Sequence, residues 1–160
     1  MKVIALDPGY DRCGLAVIER DSSGKETILT STCLTTNKED LFEHRLVSIV
    51  REFRSYIEKY KPDACALETL FFAKNQKTAM HVAEARGALI LTVTELNVPL
   101  HEFTPKQVKV AVTGDGAATK QQVMMMLPRL IQIEKEIKYD DEYDAIAVGL
   151  TASVVLSSKY

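Results

Sequence analysis

Three short runs of mainly hydrophobic residues open the chain, and polar turn residues separate them. The runs cover residues 2–6, 14–18 and 27–34. Residues 10–12 and 21–25 lie between them and contain the Asp, Ser, Gly and charged side chains that favour turns. Short apolar runs bounded by turns are typical of strands. The pattern therefore predicts three strands that follow one another as a meander.

A helical periodicity begins at residue 38. Apolar side chains recur there at steps of three and four residues, at Phe42, Leu46, Ile49, Val50, Phe53, Ile57 and Tyr60. This spacing puts them on one face of a helix over residues 38–60. Asn37 can cap the helix at its start, and Pro62 stops it.

The second half of the chain alternates short apolar runs with longer helical stretches. We predict a buried strand at 64–67 that ends on Glu68, a helix at 75–97, a strand at 98–103, a helix at 105–112, a short helix that begins near Thr119 and is interrupted by Pro128, and a last helix at 140–157. Strands come first and then alternate with helices, so the predicted fold is α/β with a mixed sheet. The length of 160 residues fits a single domain over residues 1–160.

Composition excludes several classes of protein. Hydrophobic residues make up 46% and charged residues 26% of the chain, as is ordinary for a globular protein. No apolar run approaches the roughly 20 residues that cross a bilayer, and Asp7 interrupts the first run too early for a signal peptide. The three cysteines lack the CxxC spacing of metal sites, which predicts free thiols in a reducing, cytoplasmic setting and argues against structural zinc.

The charge is unevenly distributed along the chain. A net charge of −2 gives the whole molecule no attraction for nucleic acid, so an anionic partner must be held by a local patch. Residues 74–129 carry 7 basic and 4 acidic side chains, whereas the segments on both sides are net negative. The middle segment is therefore the candidate anion-binding surface.

Four acidic residues occupy positions that suit a metal site. Asp7 and Glu68 each end an apolar strand, while Asp141 and Asp144 stand three residues apart at the start of the last helix. If the strands are neighbours and the helix packs across their ends, the four carboxylates meet in the crevice where open α/β sheets bind ligands. They would repel one another unless a cation joined them. Oxygen ligands without His or Cys predict a hard ion, Mg²⁺ or Mn²⁺.

These acids also have structural explanations. Asp7 precedes a Pro-Gly pair and could simply form a turn. Asp141 and Asp144 could complement the dipole at a helix N-terminus. Glu68 is harder to explain in this way, because apolar residues precede it and follow it closely.

Two further features have both a structural and a functional interpretation. Phe71 and Phe72 are adjacent in a segment that we expect to be extended, so one could pack in the core while the other stacks on a base. The turn at 114–116, with Lys120 nearby, could present backbone N–H groups to a phosphate or could be a plain connection between helices.

Taken together, these segments resemble the RuvC family of Holliday-junction resolvases. The similar stretches are residues 5–9, 62–63, 67–68, 71–75, 85–87, 106–109, 113–116, 120–123 and 141–147, together with Gly14. Each is weak alone, but their order and spacing are specific and they span nearly the whole chain. The resemblance implies a ribonuclease H-like three-layer fold in which helices flank a central mixed five-stranded sheet.

The resemblance implies catalytic roles for five residues. Asp7, Glu68, Asp141 and Asp144 would be the catalytic metal ligands, with two ions per active site. The ions would be Mg²⁺, with Mn²⁺ able to substitute. Lys120 would offset the charge on the phosphate that is cut.

The resemblance also implies residues that contact DNA. Lys109 and Lys120 would hold phosphates near the cleaved bond, and Phe71 would wedge or stack at the junction. Lys74 and Arg86 would be further contacts, although Arg86 could serve packing instead.

The implied function is the resolution of four-way DNA junctions by paired symmetric nicks that leave 5′-phosphate and 3′-hydroxyl ends, in recombination and repair. Because the junction has two-fold symmetry, we expect a homodimer. The helix at 75–97 could supply the interface through Val82, Ala85, Leu89 and Val93, although an apolar helix could equally be buried within one subunit. The resemblance further implies the RuvA–RuvB branch-migration complex as a partner.

Three other functions compete with this one. A related ribonuclease H-like nuclease would act on RNA–DNA hybrid, and a scaffold protein would bind junctions without cutting them. The Asp-Pro-Gly turn is also similar to the phosphate-binding turn of the actin and sugar-kinase superfamily, but that fold needs two such domains.

Two features depart from the family pattern. Cys13 precedes Gly14 where the family usually has Thr, and Leu15 follows where it usually has Tyr. Asp115 and Glu142 would add negative charge beside the expected path of the DNA.

Overall fold

The computed structural model describes residues 1–69 and 76–157, with the side chains of 76–78 left out. Within these residues the chain forms five strands, β1 (Lys2–Asp7), β2 (Arg12–Arg20), β3 (Glu26–Thr35), β4 (Ala64–Glu68) and β5 (Leu100–Phe103). It also forms five helices, α1 (Phe42–Tyr60), α2 (Gln76–Glu95), α3 (Pro105–Thr113), α4 (Lys120–Leu130) and α5 (Asp140–Ser157).

The strands form one mixed sheet in the order β3-β2-β1-β4-β5. The first three strands pair antiparallel as a meander. β4 lies parallel to β1 on one side and parallel to β5 on the other. The predicted mixed five-stranded sheet is confirmed, with the strand that opens the chain at its centre.

Helices cover both faces of this sheet, as the three-layer prediction required. In β1, Val3 and Ala5 pack in the cluster that contains α3, α4 and α5. Ile4 and Leu6 point the other way and pack in the cluster that contains α1 and α2. A strand that is buried on both faces carries apolar residues at every position, which explains the unbroken hydrophobic run before Asp7.

α5 lies closely against the sheet. A Cβ atom at Gly149 would stand 2.9 Å from Cδ1 of Ile18 and 3.2 Å from Cβ of Ala5, so only a residue without a side chain leaves the helix this close. Residues 145–148 are all buried, because α5 is covered by the sheet on one side and by α3 and α4 on the other. This packing holds the middle of α5 against the central strands of the sheet.

The start of α1 differs from the prediction. The helix begins at Phe42 instead of residue 38, and Asn37 does not cap it. The Oδ1 atom of Asn37 instead accepts a hydrogen bond from the backbone N–H of Glu39 at 3.1 Å, which closes a turn before the helix. The end at Tyr60 agrees with the stop that Pro62 predicts.

The prediction that Pro128 interrupts the helix after Thr119 is wrong. α4 runs through Pro128 to Leu130. Because the proline lies in the last turn, the helix loses little beyond the hydrogen bond that the missing N–H would make. The backbone N–H of Ile131 still donates to the carbonyl of Leu127 and closes the helix.

Strand lengths also differ from the apolar runs. β2 and β3 continue beyond these runs to Arg12 and Thr35, because hairpin pairing proceeds through polar residues. β5 is shorter than predicted and begins at Leu100. Asn97, with a φ of 54°, stands just before the predicted start of that strand, and Pro99, which has no N–H to donate, lies within it.

Two predictions from composition can be compared with the described residues. Across 1–69 and 76–157 we find no helix with the length and hydrophobicity that a bilayer crossing needs. Cys13, Cys33 and Cys65 are free thiols, as predicted.

Candidate active site

Two of the predicted acids lie side by side at one edge of the sheet. β1 and β4 are parallel neighbours, and Leu6 is paired with Leu67 in their register. Asp7 and Glu68 follow these residues directly, so both stand at the carboxyl ends of adjacent strands. This is the location that open α/β sheets use for ligand sites.

Gly14 lets the first turn of α5 reach the same place. It is paired with Asp7 in the antiparallel register of β1 and β2. A Cβ atom at Gly14 would lie 1.8 Å from the backbone oxygen of Asp141 and 3.2 Å from Cβ of Ala145. The missing side chain therefore brings Asp141 next to the strand that carries Asp7, and Asp144 follows one helical turn later.

The electrostatics of Asp7 show that the four acids share one environment. Burial, as the largest cause, and the charges of Asp144, Asp141 and Glu68, in that order, together raise the pKa of Asp7 from 3.8 to about 7. Burial is also the main cause that raises the pKa values of the other three carboxyls. Repulsion of this kind is what a divalent cation removes.

Lys120 holds one of these acids. Its Nζ atom donates hydrogen bonds to Oδ2 of Asp140 at 2.7 Å and to Oδ2 of Asp144 at 2.6 Å. Burial alone would lower the pKa of Lys120, but these hydrogen bonds outweigh it and raise the pKa. Lys120 is therefore a charged group fixed at the start of α4, beside the carboxylates. Lys120 lines a small cavity of about 190 Å³, and Lys109 lines the same cavity.

Arg12 holds another acid from the opposite side. Its Nε atom lies 3.1 Å from Oδ2 of Asp141, and its Nη2 atom lies 3.8 Å from Oδ1 of Asp140. The guanidinium also lies over the ring of Tyr139, at 5.3 Å from the centroid. The sequence analysis missed Arg12 and Asp140. The position of Arg12 at the first residue of β2, on the edge where β1 ends, is the signal that could have found it.

The donor set fits a hard divalent cation, although some of its members are engaged by side chains. Among the described residues, no three His, Cys, Asp or Glu side chains are arranged to hold an ion as they stand. Asp144 is hydrogen-bonded to Lys120, and Asp141 is paired with Arg12. Nevertheless, Oδ2 of Asp141 is buried, and its contact with Nε of Arg12 at 3.1 Å is an ion pair without hydrogen-bond geometry. An ion at this edge would satisfy that oxygen and would need Lys120 and Arg12 to move.

Glu142, which was expected to add negative charge beside the path of the DNA, has partners of its own within the chain. Its side chain is buried, accepts a hydrogen bond from Oγ of Ser31 at 2.6 Å, and lies 2.6 Å from Nζ of Lys135. Residues 141 and 142 point in different directions from the helix, which explains why adjacent acids have separate environments. Asp115, in contrast, is exposed, and its Oδ1 accepts a hydrogen bond from the N–H of Ala117 at 2.8 Å.

Other predicted contacts have different outcomes. Arg86 pairs with Glu102 on the surface between α2 and β5, which favours the packing role. Phe71, Phe72 and Lys74 lie outside the described residues.

The predicted dimer interface on α2 is wrong in detail. Ala85, Leu89 and Val93 are 1%, 0% and 0% exposed, because they form part of the core of the chain itself. The alternative that the helix is buried within one subunit is correct for these residues.

Comparison with known proteins identifies close relatives. The family model for crossover junction endodeoxyribonuclease RuvC matches residues 3–152. The RuvC of Thermosipho melanesiensis is 44% identical over 154 residues, which cover 96% of this chain and 98% of the relative. The RuvC of Petrotoga mobilis is 42% identical over 149 residues, which cover 93% of this chain and 91% of the relative.

Solved structures agree with these relatives. Thermus thermophilus RuvC in complex with Holliday junction substrate has a TM-score of 0.91 and 27% identity, and the match covers 99% of this chain and 96% of that one. The yeast mitochondrial Holliday junction resolvase Ydc2 has a TM-score of 0.70 at 16% identity, covering 99% of this chain and 80% of that one, and shares the fold.

Proposed function

The chain belongs to the RuvC family of crossover junction endodeoxyribonucleases, and from this membership we propose how its own residues carry out the reaction. It is a Holliday junction resolvase, a hydrolase that cuts the phosphodiester backbone of four-way DNA. Nucleases of this family depend on a metal ion. The identity of the ion, its ligands and the roles of the basic residues belong to the proposal.

Asp7, Glu68, Asp141 and Asp144 hold two Mg²⁺ ions in this proposal, and Mn²⁺ can substitute. The observation that carries it is the convergence of the acids: Asp7 and Glu68 end adjacent parallel strands, and the close contact at Gly14 brings the first turn of α5 to the same edge. When bound, the ions activate the attacking water and stabilise the leaving 3′ oxygen. The water oxygen bonds to phosphorus while the P–O3′ bond breaks, which leaves a 5′-phosphate and a 3′-hydroxyl.

Lys120 and Lys109 bind the phosphate that is cut. Both line the small cavity that Glu68 and Asp144 also line. Lys120 exchanges its hydrogen bond with Asp144 for one with a phosphate oxygen, and Asp140 at 2.7 Å keeps it close during the exchange. A lysine held in place in this way offsets the negative charge that develops on the phosphate.

Two chains act together as a homodimer through the exposed face of α2, in place of the face predicted from the sequence. Met80 and Leu91 are 68% and 59% exposed, and Gly87 lies between them on the same face of the helix. A Cβ atom at Gly87 would meet nothing within 4 Å. Glycine inside a helix costs roughly 0.5–1 kcal/mol relative to alanine, and no contact within the described chain offsets this. The close approach of a helix from a second chain would offset this cost.

Two further expectations stay predictions. The RuvA–RuvB complex would supply the junctions, and the protein would work in the cytoplasm.

A cleavage assay with Asp7→Asn tests the proposed site. The substrates are a mobile four-way junction, a linear duplex and an RNA–DNA hybrid, each with Mg²⁺ and with chelator. Wild-type protein should place paired symmetric nicks in the junction alone, and only with Mg²⁺. Asp7→Asn should lose cleavage by roughly 1,000-fold or more, because metal ions contribute several kcal/mol to such reactions.

Binding separates this role from a structural one. Asp7→Asn should bind the junction as tightly as wild type or more tightly, because it removes a charge that repels phosphate. An equal loss of binding and cleavage contradicts the assigned role. Cleavage of the RNA–DNA hybrid in preference to the junction would favour the competing nuclease.

A further inference from the structure

A second, larger cavity borders the acidic site at Asp141. It has a volume of about 650 Å³, and its lining includes Gly9, Arg12, Lys38, Tyr139 and Asp141. A cavity of this size is in the range that holds a nucleotide.

The two cavities border different members of the acidic site. Lys109 and Lys120 line the smaller cavity with Glu68 and Asp144, whereas the larger one borders Asp141. Nothing in the described chain lines both cavities. Each cavity is therefore lined by at least one of the four acids and by two basic side chains of its own.

The wall of the larger cavity is fixed before any ligand binds. Arg45 is 8% exposed and holds the turn between β1 and β2. Its Nε atom donates to Oγ1 of Thr36 at 2.8 Å, and its guanidinium pairs with Asp11 and lies over the ring of Tyr10 at 4.9 Å. Oγ1 of Thr36 in turn donates to the carbonyl of Tyr10 at 2.6 Å. A preorganised wall reduces the cost of ordering a ligand.

A glycine also shapes this wall. A Cβ atom at Gly9 would lie 2.1 Å from the carbonyl oxygen of Arg12, so the turn closes only around a residue without a side chain. The tight turn brings Arg12 to the edge of the cavity, immediately after the strand that ends on Asp7.

The basic groups of the larger cavity are available to an anion. Lys38 is exposed and has no ion-pair partner among residues 1–69 and 76–157. Arg12 is half-exposed, and its partners are Asp141 and Asp140. Asp141 is one of the proposed metal ligands, so an ion there would leave Arg12 facing the cavity with Asp140 alone.

We propose that the larger cavity binds backbone phosphates of the cleaved DNA strand, with Arg12 and Lys38 as the contacts. The inference rests on the proposed function, since it takes the phosphate that is cut to lie at the four acids. A DNA strand carries a phosphate at every nucleotide and must continue in both directions from that point. Lys109 and Lys120 contact it on one side, and Arg12 and Lys38 contact it on the other. This strand path holds the cleaved phosphate from both sides.

The salt dependence of DNA binding tests the proposal without relying on cleavage. Binding of a labelled junction and of a linear duplex is measured in an Asp7→Asn background with Mg²⁺ over a series of salt concentrations. The logarithm of the association constant falls with the logarithm of salt by about 0.9 for each phosphate contact. We expect Lys38→Gln to reduce this slope by about 0.9 and Arg12→Gln with Lys38→Gln to reduce it by about 1.8.

Two variants serve as controls. Lys25→Gln removes the same charge from the turn between β2 and β3, at the opposite end of the sheet from Asp7, and should leave the slope unchanged. Arg12→Lys keeps the charge and should keep the slope. Lys38 is exposed, so its variant decides the question even if replacement of Arg12 disturbs folding.

Failure of the cavity contacts and failure of the proposed function give different results in this experiment. A slope for Lys38→Gln and Arg12→Gln that equals the slope for Lys25→Gln overturns the phosphate contacts of this cavity. If the Asp7→Asn protein binds junction and linear duplex equally well, the proposed function fails, but the slope on the duplex still decides whether the cavity binds phosphates.

Discussion

Asp7 is the carboxyl group on which burial and neighbouring charge act together. It ends a strand that is buried on both faces, so its side chain has little contact with water. Asp144, Asp141 and Glu68 then add repulsion. Acid placement at strand and helix ends could be predicted from the sequence, because the apolar pattern marks where each element stops.

When a chelator keeps metal ions away, the pH dependence of the free energy of unfolding should reveal the burial and repulsion of Asp7. The pKa of Asp7 is about 7 in the folded chain against 3.8 as the ordinary value. Between these pH values the folded state binds more protons than the unfolded state, so the free energy of unfolding should decrease as pH rises from about 4 to 7. A shift of this size corresponds to roughly 4 kcal/mol. Urea unfolding at several pH values measures it.

Matched variants identify the residue responsible. Asp7→Asn should lose much of the decline and be more stable than wild type above about pH 7. Asp21→Asn is the control, because hydrogen bonds from Ser23 and Lys25 lower the pKa of Asp21 and it titrates below this range. Mg²⁺ should stabilise the wild type more as pH rises, because it binds the ionised carboxylates. If wild-type protein in chelator is as stable at pH 7 as at pH 5, ionised Asp7 does not destabilise the fold and the prediction is wrong.

The partners of these acids could not be read from the sequence. Asp140 stands beside Asp141 at a helix start, where an acid can simply complement the helix dipole, yet it lies 2.7 Å from Lys120 and 3.8 Å from Arg12. Glu142 is two positions further along and is buried with Ser31. Which acid meets which base depends on side-chain directions set by packing, and charge counts along the chain do not contain that information.

At the level of elements, the site depends on how closely α5 approaches β2. Gly14 is the residue that permits this contact, since a Cβ atom there would lie 1.8 Å from the carbonyl oxygen of Asp141. The position of a Cβ atom is fixed by the backbone, and the atom it would meet is a backbone oxygen, so side-chain rotation cannot relieve the clash. The first turn of α5 would have to move away from Asp7.

Gly14→Ala should therefore impair the site more than the fold. We expect a loss of cleavage of about 100-fold or more, because small displacements of catalytic groups have effects of that size, together with weaker Mg²⁺ binding. Gly149→Ala is the matched control on the same helix. Its Cβ would meet the flexible end of Ile18 at 2.9 Å and Cβ of Ala5 at 3.2 Å, and none of the three nearest atoms belongs to the four acids. It should lower the melting temperature with a smaller effect on cleavage.

Comparison of the two glycine variants decides between site geometry and general packing. Cleavage and Mg²⁺ affinity are measured alongside thermal unfolding for each. If Gly14→Ala and Gly149→Ala lose cleavage only in proportion to their loss of stability, the close approach of α5 has no special role in the site.

Element boundaries show where local sequence was insufficient. The existence and order of the strands and helices followed from hydrophobic period, and α5 was predicted with its observed bounds. α1 starts four residues later than predicted because Asn37 closes a turn instead of capping the helix. Asn and Asp favour both turns and caps, and only the tertiary path of the chain decides between them.

The whole molecule distributes its positive charge differently from the linear sequence. Residues 74–129 contribute Lys109 and Lys120, as their basic composition indicated. Arg12 and Lys38 come from a segment with net negative charge, and the fold gathers them at one cavity. Because antiparallel and parallel pairing brings distant strand ends to one edge, a segment's net charge does not predict the charge of the surface it helps to build.

The proposed homodimer is tested by the oligomeric state of the protein in solution. Leu91 is 59% exposed on the α2 face that also contains Gly87. Leu91→Glu would place two like charges in a symmetric interface, at a cost of roughly 4 kcal/mol, or about 1,000-fold in the dimer dissociation constant. Sedimentation at micromolar concentration should show dimers for wild type and monomers for the variant.

The effect on the reaction follows from symmetry. One chain carries one set of four acids, so paired nicks across a four-way junction require two chains held in a fixed relation. Leu91→Glu should therefore leave single nicks where wild type makes paired ones. Met125→Glu introduces the same charge at a side chain 67% exposed on α4 and should keep both the dimer and the paired nicks. Paired nicks from a Leu91→Glu protein that sediments as a monomer would disprove the need for this interface.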